Sequence, residues 1–133
     1  MAGWATGSFE NDSAQAWLPQ LTSLSVDDLQ PLLSRAADSA DYLEAPDASV
    51  AVAAAEAIAA LKGEPSPAAP KEIADWAHKA KSEDGSIPDL TGLALRAVQR
   101  VRTNSELKDL WLEAEGLNEW SASLRDLEKR LAD

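Results

Sequence analysis

The chain reads as all-α, an irregular array of about six or seven short helices with a docked N-terminal loop, in a single domain covering residues 1–133. Three observations predict it. Alternation of period two never holds for more than a few residues and β-branched residues are sparse, so no strand is expected. Apolar residues recur instead at spacings of three and four, the period of a helix with one buried side. Capping residues precede these stripes and glycines follow them. A chain of 133 residues also suffices for one core, burying about two thirds of its unfolded surface.

Each element has its own signal. Asp12 is a good N-cap for the first helix, with Gln15 at the capping-box position; Asn11 can cap instead, one residue earlier. Ala14, Trp17, Leu18 and Leu21 form the stripe of this helix. Ser25 caps the second, with Asp28 at the box position and Leu29, Leu32, Leu33, Ala36 and Ala40 as its stripe. Pro31 lies inside that pattern, so it either bends the helix or lies close to the true start. Pro46 and Asp47 open a third helix and Gly63 stops it. The stretch 64–70, with three prolines, reads as a surface connector, since either half alone is too small for a secure core. A fourth helix runs from Lys71 to about Lys81, carrying Ile73, Trp76, Ala77 and Ala80. Residues 83–86 make a turn, and Pro88 suits the first turn of a fifth helix that reaches about Arg102. Ser105 begins the sixth and Gly116 stops it. The last occupies residues 118–132, with Trp120, Leu124, Leu127 and Leu131 on one side.

The head, Gly3 to Asp12, is the most distinctive segment. Gly3 and Gly7 allow tight bends on both sides of Trp4, which frees Trp4 and Phe9 to turn inward against the last helices. On this reading the head is a structural plug. On the other it is a binding loop that presents glycine amides and the Asn11 and Asp12 side chains to a ligand. The G-x-x-x-G spacing lacks the following Lys-Ser/Thr of a P-loop.

Trp4, Gly7, Phe9, Asn11 and Asp12 also fit a pattern W-G-x-G-x-F-x-N-D. Through it the chain resembles the bacterial family of short proteins known as domain of unknown function 4259 (DUF4259). Ala5 stands where that family usually has Gly. The likeness continues through Ala53–Gly63 and Ser105–Trp111, then in Trp120, Leu127, Arg130 and Leu131. The resemblance implies no activity and no catalytic residue.

Composition narrows the function classes. The chain has no Cys, which excludes disulfides, thiolate catalysis and Cys-based zinc sites. Its opening residues show neither the basic region nor the apolar stretch of a signal peptide. The longest apolar run, Val50 to Leu61, is interrupted by Glu56 and is too short for a bilayer, which needs about 20 residues. A cytoplasmic protein is expected. The net charge of −11 is unevenly placed: residues 1–61 carry nine acids against the single base Arg35. That half disfavours nucleic acid and anionic membranes and suits a basic protein partner. The plainer role of such a surface is solubility.

Candidate chemistry is thin. Glu56 is the only charged side chain between Val50 and Leu61; it is either a solvent-facing residue or a partly buried carboxylate meeting a Trp N–H, an Arg or the head. Arg96 and Arg100, four apart, make either an anion site or internal pairs with the acidic first half. His78 is the only histidine and has no metal-ligand spacing around it, so no metal and no cofactor is expected. Trp17, Trp76, Trp111 and Trp120 fall on apolar stripes and read as core. The reading that follows is a non-enzymatic binding module, of the kind an inhibitor or immunity protein represents. The alternative is a small hydrolase or ligand-binding protein using Trp4, Asn11, Asp12 and Glu56.

Overall fold

In the segment Ala45–Leu61 alanine alternates with little else, and a helix of that composition has no polar side to offer water. Every residue from Ala51 to Ala60 is buried, Glu56 included. The computed structural model describes Phe9 and residues 11–67, 69–82 and 89–132. Within them lie seven helices and no strand: α1 (Asp12–Leu21), α2 (Val26–Asp38), α3 (Ala45–Leu61), α4 (Lys71–Ser82), α5 (Thr91–Thr103), α6 (Glu106–Glu113) and α7 (Leu117–Ala132). The all-α expectation holds. Helix α3 runs through the centre and touches all six others. Helix α5 is the second hub, packed on α2, α3, α6 and α7, while α1 lies against α3 and α4.

Helix starts follow the sequence with adjustments. Asn11 caps α1, its Oδ1 accepting the Ala14 N–H at 2.9 Å. Asp12 is the first helical residue, where its charge favours the positive end of the helix dipole. Gln15 makes no box with it; its amide donates instead to the Phe9 carbonyl at 2.6 Å and ties the head to α1. Ser25 and Asp28 form the expected capping box. Helix α2 begins at Val26 and continues through Pro31, so the proline does not mark its start. The missing N–H falls in a turn where Asp27 and Gln30 are exposed, so water can serve the freed carbonyl. The helix ends at Asp38, which leaves Ala40 exposed in the following loop rather than on the stripe. Helix α5 starts three residues after Pro88, which lies outside the described residues. There Asp89 accepts both the Thr91 amide (3.0 Å) and the Thr91 hydroxyl (2.6 Å), and these bonds hold its carboxyl below the usual aspartate range.

Helix ends divide two jobs that one glycine often does alone. After α3, Gly63 takes the left-handed conformation (φ 96°). Its N–H reaches Ala60 O and that of Glu64 reaches Ala59 O, a Schellman motif. After α6 the same two bonds recur, from Glu115 to Leu112 O and from Gly116 to Trp111 O. Here the left-handed residue is Glu115 (φ 62°), not the glycine. Gly116 is needed for another reason: a Cβ there would lie 2.6 Å from the Trp111 ring. The sequence expectation that Gly116 stops α6 is right in position, but its role is to let Trp111 fold back on the turn.

The tryptophans fill the core as expected, with Trp17, Trp76, Trp111 and Trp120 all buried. Trp76 also satisfies its indole N–H by donating to Leu24 O at 2.9 Å. Phe9 is 6% exposed and joins the same core. Trp4, the other aromatic residue of the head, lies outside the described residues. Buried polar side chains of the described residues all have partners. Ser105, for example, donates to Val101 O and accepts the Lys108 N–H, capping α6 from inside the core.

The α6 terminus gives a paired test. Gly116→Ala forces a methyl into the Trp111 ring and should cost about 1–3 kcal/mol. Glu115→Gly relieves the left-handed conformation and should stabilise by about 1 kcal/mol. Urea unfolding of both variants should shift in opposite directions.

Candidate functional site

Two charged clusters stand out among the described residues, one built on a buried carboxylate and one at the surface. The inner one is built on Glu56. Because α3 is buried all round from Ala51 to Ala60, the Glu56 carboxylate must be neutralised where it stands, or the helix could not pack. Arg130, on the last turns of α7, supplies a bidentate pair: Nη1 to Oε1 at 2.8 Å and Nη2 to Oε2 at 3.1 Å. The Arg130 side chain is 12% exposed and that of Glu56 4%. Asp126 accepts from Arg130 Nε at 2.9 Å, and Glu64 O accepts from Nη1 at 3.2 Å. Burial pulls the guanidinium down, but hydrogen bonds and charge attraction to Glu56 and Asp126 outweigh it and leave its pKa raised. Of the alternatives left open for Glu56, the structure selects the buried carboxylate that meets an arginine. A carboxylate gripped on both oxygens by a guanidinium is poorly placed to exchange protons with a substrate.

The two candidate anion ligands are engaged elsewhere. Arg96 pairs with Asp38 across α5 and α2 at 2.7 Å, both side chains more than half exposed. Arg100 donates to three carbonyls: Ser39 (2.6 Å), Asp41 (2.8 Å) and Asn104 (3.0 Å). The structure therefore brings neither into an anion pocket; Arg96 makes an internal pair with the acidic first half, whereas Arg100 bonds backbone carbonyls and no acid. His78 is exposed on α4. Among the described residues no three His, Asp or Glu side chains gather as a metal site.

The outer site is the loop between α2 and α3, which the sequence reading passed over. Arg100 holds its start through Ser39 and Asp41. Glu106 holds its end: its N–H donates to Leu43 O at 2.8 Å and its Oε1 accepts the Ala45 N–H at 2.8 Å. Leu43 is buried as the loop's anchor. Between the two clamps Tyr42 points outward, 56% exposed, and its hydroxyl donates to Asp109 Oδ2 on α6. That hydrogen bond, together with the negative charges of Asp109, Glu106 and Glu113, pushes the Tyr42 pKa up to about 12. The one available signal in the sequence was that the chain's single tyrosine stands between Asp41 and Glu44 in a short interhelical loop.

A cleft of about 270 Å³ also opens between α1, α2 and the start of α3. Trp17, Leu32 and Val50 line it, together with Ser13, Arg35 and Asp47. Asp12 lies one residue from Ser13 but is not among its lining residues.

Comparison with known proteins gives one result. The family described as domain of unknown function (DUF4259) matches residues 3–123. The chain belongs to this family. No curated protein and no solved structure matches it. Within the family's span, Phe9 and Asn11 of the head have plain structural jobs, a core side chain and a helix cap.

Both sites can be tested without a ligand. Glu56→Ala or Arg130→Ala breaks the bidentate buried pair and should cost about 3–5 kcal/mol. Replacing both by apolar residues, Glu56→Leu with Arg130→Met, should cost far less than the sum in a urea double-mutant cycle. For Tyr42, tyrosinate absorbance should titrate near pH 12, and Asp109→Asn should return the midpoint toward the ordinary value of about 10. Because the folded state holds this proton more tightly, its contribution is complete below pH 10 and is lost as pH rises through 12.

Proposed function

We propose that this DUF4259 chain is a non-enzymatic binding module of the cytoplasm, and that its acidic first half receives a basic protein partner. The observation that carries the reading is the state of its surface carboxylates. Among the described residues Asp12, Asp27, Asp41, Glu44 and Asp47 are exposed and make no ion pair. The bases of the second half do not neutralise them. Arg100 is taken up by carbonyls, Arg102 by Glu128 and Arg130 by Glu56 and Asp126. A surface left with this excess attracts a cationic protein over distances up to about a Debye length, near 8–10 Å at physiological salt. It repels nucleic acid and anionic lipid for the same reason. Among the described residues no helix is long and apolar enough to cross a membrane. An inhibitor or immunity role fits this chemistry, since such proteins act by covering a basic site.

The enzymatic alternative loses one of its named carboxylates, because Glu56 is bound to Arg130. It keeps the head residues Asn11 and Asp12, with Trp4 outside the described residues, and the nearby cleft beside Trp17 adds Arg35 and Asp47 as groups to orient a small charged molecule.

Affinity capture from native cell extract at low and high salt separates the two. A basic protein retained at low salt and released at high salt supports the binding module. Its absence, with a small molecule that raises the melting temperature, supports the hydrolase or ligand-binding alternative.

A further inference from the structure

We propose that Tyr42 and Leu112 form the docking point at which an arginine-bearing segment of a basic partner seats on the α2–α3 loop and α6. The inference rests on the binding-module reading and gives it a location. Tyr42 and Leu112, 56% and 57% exposed, are the large hydrophobic side chains that the described residues leave in water. Both belong to one side of the molecule. The Tyr42 hydroxyl is bonded to Asp109, and Leu112 lies three residues after Asp109, a neighbour on the helix surface.

The occupant follows from charge complementarity. Asp41 and Glu44 flank Tyr42 in the chain, while Glu106, Asp109 and Glu113 lie close enough to act on its hydroxyl. The cations carried by or bonded to these elements are Lys108 in α6 and Arg100, which holds the loop. Arg100 gives its hydrogen bonds to loop carbonyls, and Lys108 donates to Thr103 O at 3.2 Å. Five carboxylates therefore stand against two cations. A guanidinium can lie on the face of Tyr42, where the ring quadrupole attracts it, and turn its donors to the nearby carboxylates. Its methylene stem can cover Leu112. A planar donor fork uses this arrangement better than an ammonium does, so arginine is preferred to lysine. The loop is already held by Arg100, Glu106 and buried Leu43, which removes most of the ordering cost of binding.

The probe is an oligo-arginine peptide, titrated at low salt into the isotopically labelled full chain and followed by amide NMR shifts, with oligo-lysine and oligo-glutamate alongside. The expected result is a saturable shift centred on residues 41–44 and 109–113, tighter for arginine than for lysine and absent for glutamate. Tyr42→Ala and Leu112→Ser should each weaken it by tenfold or more, while Tyr42→Phe, which keeps the ring, should retain it. Both side chains are exposed, and unchanged melting temperatures verify that the variants are folded. Shifts spread evenly over Asp12, Asp27 and Asp47, or equal affinity in all variants, overturn the docking point and leave the binding-module reading standing. No binding of oligo-arginine at low salt overturns both.

Discussion

Helix α3 can be the axis of this fold because alanine covers almost none of its own backbone. Small side chains let neighbouring helices approach closely, and six of them close on this one. The consequence is that α3 has no solvated side beyond its first turn, where Asp47 is exposed, so the Glu56 carboxylate must find its counter-charge inside. Arg130 provides it from α7, near the end of the chain. The pair joins the middle of the chain to its last helix, and through Glu64 O it also holds the turn that leaves α3. Removing one partner takes the bidentate counter-charge from the other, which is why a single truncation costs more than a matched apolar replacement.

Arginines of the second half act mainly as fasteners. Arg102 reaches Glu128 and joins α5 to α7, its guanidinium raised by that hydrogen bond against the opposing effect of burial. Arg96 and Arg100 join α5 to α2 and to the loop after it. Each fastener removes a cation from the surface that the acidic first half could otherwise meet. These four arginines, Arg130 included, thus cross-link the molecule internally. The exposed tyrosine is held rigid at the junction, because the clamps on both sides of it are the same contacts that close the fold.

Much of the architecture is legible in local sequence. Ser25 with Asp28, Gly63, and the stripe from Trp120 to Leu131 act through neighbours within four or five residues, so spacing alone predicts them. Where two neighbours competed for one local role, the result depended on geometry finer than spacing. Asn11 rather than Asp12 caps α1, and Glu115 rather than Gly116 takes the left-handed angle. In the second case the Trp111 ring, five residues back, occupies the space where a Gly116 side chain would go.

The sequence by itself determined the helical class, nearly all the helix positions, the burial of Trp17, Trp76, Trp111 and Trp120 and the acidic bias of the first half. These depend on short-range periodicity and on composition, which folding does not change. Only the tertiary structure decided the fate of the charges. Whether Glu56 faces water or an arginine depends on a residue 74 positions away. Whether Arg100 is an anion ligand or a loop clamp depends on carbonyls about 60 positions away. The prominence of Tyr42 depends on α6 arriving beneath it. Electrostatic and hydrogen-bond partners are chosen by distance in space, and in an array of short helices the chain order does not reveal that distance.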